Sequence, residues 1–298
     1  MSNTGLDPTF VDLRPRLIRL AYRMLGSVSD AEDVVQDAYL RWHALDRDHI
    51  REPVALLQTI VTRLCLNDLT SARRRRETYI GPWLPEPFFD PEDAAVADDM
   101  TMPLMMALER LSPLERAAFL LHDVFGASFE DIAETIGRET AACRKLASRA
   151  RDHVRAARPR FPVTKEQCDK IALAFFDASR SGDIQGLRAL LAEGVVAYAD
   201  GGGKVSSSLQ PLLGIDQVLE RHAAMAREFS ATPSRLVRFA TIDGLPGFIT
   251  VEAGEITQTT QLQIDDGQIV AIYVTRNPDK LRHLARIGAP WRPGGSPS

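Results

Sequence analysis

SFEDIAETIGRETAACRKLASRARDHV, residues 128–154, decides how this chain is read. Ser128 is placed to cap a first helix, and Asp131 puts negative charge in its first turn. Ile132, Ala133 and Ile136 recur at helical spacing, and Gly137 then offers the left-handed conformation that ends a helix at little cost. From about Glu139 a second helix carries Ala142, Leu146, Ala150 and Val154 on one stripe. Its other side shows Arg144, Lys145, Ser148, Arg149 and Arg151. A small-residue turn and a helix with an apolar back and a basic front are what a helix-turn-helix needs to enter a major groove. Taken alone, the pattern fits a helical hairpin with a solvated basic face equally well.

Working outward, 298 residues are enough for two or three small domains, each with its own core. The formal net charge of −4 hides an uneven distribution. No Lys or Arg falls between Arg76 and Arg110, where Glu86, Asp90, Glu92, Asp93, Asp98 and Asp99 lie; from Arg138 to Arg160 the balance is basic. A nucleic-acid footprint is local, so bulk charge excludes nothing. Cys65, Cys143 and Cys168 are far apart in helical patterns and suit buried thiols in a reducing compartment, with no metal site and no disulfide framework. No run approaches membrane-spanning length and no signal pattern opens the sequence, so a soluble cytoplasmic protein is expected.

Asp7-Pro8 opens a helix, and Pro15 is expected to restart or kink it. Ser29-Asp30-Ala31-Glu32 reads as a capping box. The helix it starts turns Ala31, Val34, Val35, Ala38 and Trp42 inward, with Glu32, Asp33, Gln36 and Asp37 outside. After a polar loop, Pro53 begins a longer helix that ends in the run Arg73, Arg74, Arg75 and Arg76. Four adjacent arginines wrap a helix end and suit phosphate contact. Ser112-Pro113-Leu114-Glu115 is a further capping box, and its helix is expected to run to Phe125 and stop at Gly126.

Residues 30–43, DAEDVVQDAYLRWH, with the basic helix end that follows, resemble domain two of an extracytoplasmic-function RNA polymerase sigma factor. Residues 112–154, opening SPLERAAFLLHDVFG, resemble domain four of the same group. The resemblance implies that Asp30, Glu32, Asp33, Gln36 and Asp37 dock on the β′ clamp helices of core RNA polymerase, with a further contact to the β flap. It implies −10 promoter contacts from Asp46, Arg47, His49 and Asn67, with Arg73 to Arg76, around an extruded base. It implies −35 contacts from Arg138, Thr140, Arg144, Lys145, Ser148 and Arg149.

Gly81-Pro82-Trp83-Leu84-Pro85-Glu86-Pro87 is too apolar for a free linker and reads as an extended segment held against a domain. Beyond Pro162 come helices over 165–181 and 183–191. Strand-like runs follow at 195–199, 235–242, 247–251, 255–264 and 268–274, interrupted by a helix over 215–228. Asp265-Asp266-Gly267 marks a hairpin. Helices followed by a meander of strands indicate an α+β sheet wrapped on helices. This part resembles the SnoaL-like cone-shaped α+β barrel. Asp200-Gly201-Gly202-Gly203-Lys204 and Asn277-Pro278-Asp279-Lys280-Leu281, with Trp83, Leu84 and Pro85, match the sigma-factor subgroup that carries such a domain as a fusion. The resemblance implies an interdomain regulatory role for these residues and no requirement for a separate anti-sigma factor.

The expected organisation is thus two all-α sigma domains followed by that barrel. Domain two occupies 1–80, a linker 81–102, domain four 103–160, the barrel 163–287 and a tail 288–298. Catalytic relatives of the barrel would need a constellation drawn from Asp200, His222 and Tyr273. The glycines beside Asp200 favour a turn, and His222 sits between apolar residues, so no enzyme activity and no cofactor are expected. A helix-turn-helix regulator with a ligand-sensing barrel is the rival reading.

Overall fold

The computed structural model describes residues 7–46, 50–77, 79–89, 101–155 and 164–286, without the side chains of 70–77, 229, 230, 285 and 286. The chain divides into two compact units, Met1–Thr78 with Pro103–Arg158 and Tyr79–Met102 with Pro159–Ser298.

In the first unit, the Asp7 carboxylate accepts from the Thr9 and Phe10 amides and opens α1 (Pro8–Leu25). Pro15, expected to restart or kink this helix, lies inside one continuous span. The second helix, α2 (Val28–His43), is not capped at Ser29 as expected. Its cap is Ser27, whose Oγ accepts from the Asp30 amide at 3.1 Å. Ser27 has the extended backbone a cap requires, φ −130° and ψ 128°, directly after the turn at Gly26, so Ser29 is already inside the helix. α3 (Pro53–Glu77) packs on α1, and Leu57, Val61 and Leu64 of the one and Leu17, Leu20 and Met24 of the other are buried.

α4 (Met102–Glu109) and α5 (Pro113–Phe119) follow, with the Ser112–Glu115 capping box formed in both directions. The helix does not run uniformly to Phe125: Leu120–Val124 winds into a π turn before Gly126. α6 (Phe129–Ile136) starts at Ser128 and ends at Gly137, φ 65°. α7 (Thr140–Arg155) buries Cys143, Ala147, Ala150 and Val154, leaving Ala142 and Leu146 half-buried. The first half of the seam thus lies one residue from the expected stripe, on Cys143 and Ala147, while Ala150 and Val154 are buried as expected.

These helices form one body. The buried Arg116 of α5 donates to the Met24 carbonyl at the end of α1, and pairs with Glu109 at 3.1 Å. Burial lowers its pKa to about 10, which leaves it cationic at neutral pH. Arg63 of α3 donates to the Thr135 and Glu134 carbonyls at 3.1 and 2.9 Å, satisfying the open C-terminal turn of α6.

The second unit begins its barrel with α8 (Lys165–Ser181), capped by Thr164 and Gln167, and α9 (Ile184–Leu190). α8 buries Ala172, Phe175 and Ala178 and leaves Ala174 exposed. β1 (Leu191–Asp200), β2 (Leu212–Leu213), α10 (Ile215–Ala231), β3 (Arg235–Ile242), β4 (Leu245–Glu252), β5 (Ile256–Asp265) and β6 (Gln268–Thr275) complete it, before a 3₁₀ turn at Arg282–Arg286. The sheet order is β2-β1-β6-β5-β4-β3. All pairings are antiparallel except β1 with β6, which the long connection between those strands allows to run parallel. Asp266 and Gly267 have φ of 49° and 75°, the geometry of a two-residue hairpin turn. Phe175, Leu187, Val218, Phe248, Leu262 and Ile272 join helices and sheet in one core.

Candidate partner faces and a buried carboxylate clip

On α2 the apolar stripe Ala31, Val34, Val35, Ala38 and Trp42 is buried, which fixes the opposite face outward. Glu32, Asp33, Gln36 and Asp37 are exposed on it and Asp30 is half-buried. At the end of that helix Asp46 is exposed, as is Asn67 on α3; Arg47 and His49 lie outside the described residues. Arg73, Arg74, Arg75 and Arg76 belong to the last turns of α3, with side chains outside those described.

The same logic orients α7. Its buried seam leaves Arg144, Lys145, Ser148 and Arg149 exposed on the far side, with Arg138 exposed and Thr140 half-buried at its start. Arg144 reaches Glu130 at 3.5 Å and stands 5.5 Å from the Phe129 ring. Both partners of that ion pair are well exposed, so water and salt leave it weak.

In the second unit the expected loop and segment residues converge on one buried carboxylate. Asp200 ends β1 and is fully buried. Its Oδ2 accepts from the Leu84 amide at 2.9 Å and the Lys280 ammonium at 2.7 Å; its Oδ1 accepts from the Tyr79 hydroxyl. Lys280 also donates to the Leu84 carbonyl and stands over the Trp83 ring, 3.3 Å from its centroid. The charge is therefore matched, and the lysine's donors meet an acceptor or a π face, the condition for keeping such a pair out of water. Burial, and then the hydrogen bond to Asp200, raise the Tyr79 pKa, so that hydroxyl remains a donor.

The glycine loop is shaped around this clip. Gly202 has φ 60°, and a Cβ there would lie 2.3 Å from Asn277 Nδ2 and 3.0 Å from Tyr79 Oη. Asn277 in turn donates to Tyr79 Oη at 2.8 Å. At Gly203 a Cβ would press on Ile80, and at Gly201 on the Val205 carbonyl. Lys204 pairs with Asp279, whose carboxyl is held below its ordinary range by that contact first. Pro85 and Leu281 are buried beside the clip, and Pro278 is exposed.

A second carboxylate fixes the far end of the segment. Asp243 is buried with φ 46°; its Oδ1 accepts from the Phe88 amide at 3.3 Å and its Oδ2 from Gln261 at 3.0 Å. Its own amide donates to the Phe88 carbonyl at 2.9 Å, and His283 Nε2 donates to the Pro87 carbonyl at 2.8 Å. Tyr79, Asp243, Gln261 and His283 escaped the sequence reading. Asp243-Gly244 looks like an ordinary hairpin corner, and its partner lies 155 residues away.

The candidate catalytic residues are not gathered. Asp200 is consumed by the clip. Tyr273 donates to Gln263 at 2.8 Å and stacks on Tyr198, while His222 faces a separate cavity. Among the described residues no His, Cys, Asp and Glu cluster could hold a metal, and no helix is long and apolar enough to cross a membrane.

Residues 9–75 match the protein family described as Sigma-70 region 2, and residues 101–154 match Sigma-70, region 4. The chain is 37% identical over 288 residues to ECF RNA polymerase sigma factor SigJ of Mycobacterium tuberculosis, covering 91% of this chain and 92% of that protein. It is 32% identical over 283 residues to the probable ECF RNA polymerase sigma factor SigI of the same organism, covering 92% and 94%. The crystal structure of the SigJ protein is similar with a TM-score of 0.74 and 32% identity, over 92% of this chain and 97% of that one.

Proposed function

The chain belongs to the extracytoplasmic-function RNA polymerase sigma factors, and on that premise we propose how its surfaces divide promoter recognition and restraint. The α2 face of Glu32, Asp33, Gln36 and Asp37, with Asp30, docks on the β′ clamp helices, and the domain containing α7 also meets the β flap. Asp46, Arg47, His49 and Asn67 take the −10 element while Arg73 to Arg76 hold its phosphates. Arg138, Thr140, Arg144, Lys145, Ser148 and Arg149 read the −35 element. The protein acts in the compartment that holds polymerase and DNA, and performs no catalysis of its own.

The observation that carries this reading is the pairing, in one compact unit, of an exposed acidic helix face and an exposed basic one, each backed by its own buried stripe. The −10 and −35 elements lie roughly 25 base pairs apart, about 85 Å at ~3.4 Å per pair. Arg63 joins the two readers directly, so the first unit is closed here and must open on a promoter. The barrel serves as the restraint, in place of a separate anti-sigma factor, by clipping the 79–89 segment at Asp200 and Asp243. The equilibrium between clipped and released segment sets activity.

Run-off transcription with core polymerase and a promoter library tests the assignment. Asp33→Lys with Asp37→Lys should abolish core binding without shifting the melting temperature. Removing the chain beyond Pro162 should change output without changing −35 preference. Core binding unaffected by the charge reversal would move the docking face elsewhere. Sequence-specific binding of duplex DNA without polymerase would favour a conventional regulator.

A further inference from the structure

The barrel contains a cavity that neither promoter recognition nor the clip uses. It lies between α8, α10 and the sheet, and its walls are mostly apolar: Phe175, Val218, Met225, Phe248, Ile272 and Val274. Three arginines reach it, and their circumstances differ. Arg180 is matched by Glu252 at 3.0 Å, a carboxylate that also accepts from Ser234 and Thr250. Arg276 donates to the neutral Ser206 carbonyl at 2.7 Å, and its Nε is buried with no hydrogen-bond partner among the described residues. Arg221 has no ion pair among the described residues.

Burial lowers the Arg276 pKa, Arg221 adds to that, and only the carboxylates of Glu252 and Glu228 oppose it. The cavity thus holds surplus positive charge under partial burial, an arrangement that an anion relieves. A second observation points the same way. His222 is 8% exposed, lines the cavity, and has an Nδ1 with no hydrogen-bond partner among the described residues. Burial, with Arg180 and Arg221 nearby, keeps its ring neutral, so it offers a hydrogen bond and no charge. Apolar walls with a few convergent polar groups are the usual make-up of a small-molecule site.

We propose that this cavity binds an organic carboxylate with an apolar body, its head on the Arg221 and Arg276 guanidiniums and His222, and its body among Phe175, Val218, Phe248 and Val274. A singly charged head suits the charge available, and a planar guanidinium pair suits a carboxylate's two oxygens. The site is one residue from the clip, because the Arg276 amide donates to the Asp200 carbonyl at 2.8 Å and the Asn277 amide to the same oxygen at 3.0 Å.

Titration calorimetry on the full chain tests this, with 2-naphthoate and decanoate as the anionic probes. 2-Naphthylmethanol and 2-naphthylmethylamine serve as neutral and cationic counterparts of the first. At least one carboxylate should bind once per chain, with naphthoate tenfold or more tighter than the alcohol and the amine weakest. Arg276→Met and Arg221→Gln should each weaken carboxylate binding tenfold or more and leave the alcohol unchanged. Should Arg276→Met fail to fold, the half-exposed Arg221 position decides alone. No heat from either carboxylate at millimolar concentration overturns the proposal. So do equal affinities for acid, alcohol and amine, or undiminished carboxylate binding in both variants.

Discussion

Arg144 with Glu130 and Lys280 with Asp200 are both oppositely charged pairs, yet they are built for opposite ends. The first, at 3.5 Å, has side chains 59% and 69% exposed; the second, at 2.7 Å, has side chains 4% and 0% exposed. Water screens the first, so Arg144 can leave Glu130 at little loss. The second cannot part without stranding a charge out of water. The exposed pair is held loosely, and the pair with which the chain holds itself is held tightly. Arg144 offers its charge to solvent; Lys280 has its charge enclosed.

Breaking the buried pair should produce the largest effect. Lys280→Met leaves the Asp200 carboxylate unmatched and should destabilise the second unit by about 3–5 kcal/mol in denaturant melts. Adding Asp200→Leu should restore part of that, because no charge is left stranded although the Leu84 amide and the Tyr79 hydroxyl lose their acceptor. A loss below about 1 kcal/mol for Lys280→Met would erase the contrast.

Acid should act next most strongly. His222 has its pKa pushed down to about 4 from 6.5, by burial first and then by Arg180 and Arg221. A depressed folded-state value means stability that is fully present above pH 6.5 and is lost as pH falls through about 4. At ~1.4 kcal/mol per unit the whole loss is about 3–4 kcal/mol. Melting followed from pH 7 to 4 should show this slope, and His222→Leu should flatten it. An unchanged slope would place the acid sensitivity elsewhere.

On the exposed side, Arg144→Ala should reduce discrimination at particular −35 bases by about 1–3 kcal/mol if its guanidinium grips a guanine, with stability nearly unchanged. Uniform weakening over all promoters would make Arg144 a phosphate contact instead. The smallest effect should come from Glu130→Gln: within about 0.5 kcal/mol in melts, and promoter affinity equal or slightly higher. A large loss there would mean that the exposed pair is structural after all.

The legible parts of this chain were those whose cause is local. The 235–242 strand and the 165–181 helix fall where periodicity places them, and the 265–267 turn follows from an Asp-Gly pair that tolerates positive φ. The exposed α2 and α7 faces were legible too, since a buried stripe dictates its opposite. Ser27 was missed in favour of Ser29 because both serines suit a cap and only the turn at Gly26 chooses between them. Only the first half of the α7 seam falls one residue from the expected stripe, because Cys143 and Ala142 are both small enough to bury. Nothing local announces that Tyr79, Asp243 and His283 matter. Their partners are distant in sequence, and a buried carboxylate shows itself only when the fold brings its donors together.

The clip joins two parts of one polypeptide, the 79–89 segment and the loops ending β1 and β6. Its two halves are therefore always present one to one, at an effective concentration fixed by the chain rather than by the cell. A separate partner can be outnumbered when its target is overproduced; a tethered one cannot. Raising the amount of the protein leaves the fraction of clipped molecules unchanged, so the gene's own output is silent as a signal. Only a change in the strength of the clip itself can alter that fraction, one molecule at a time.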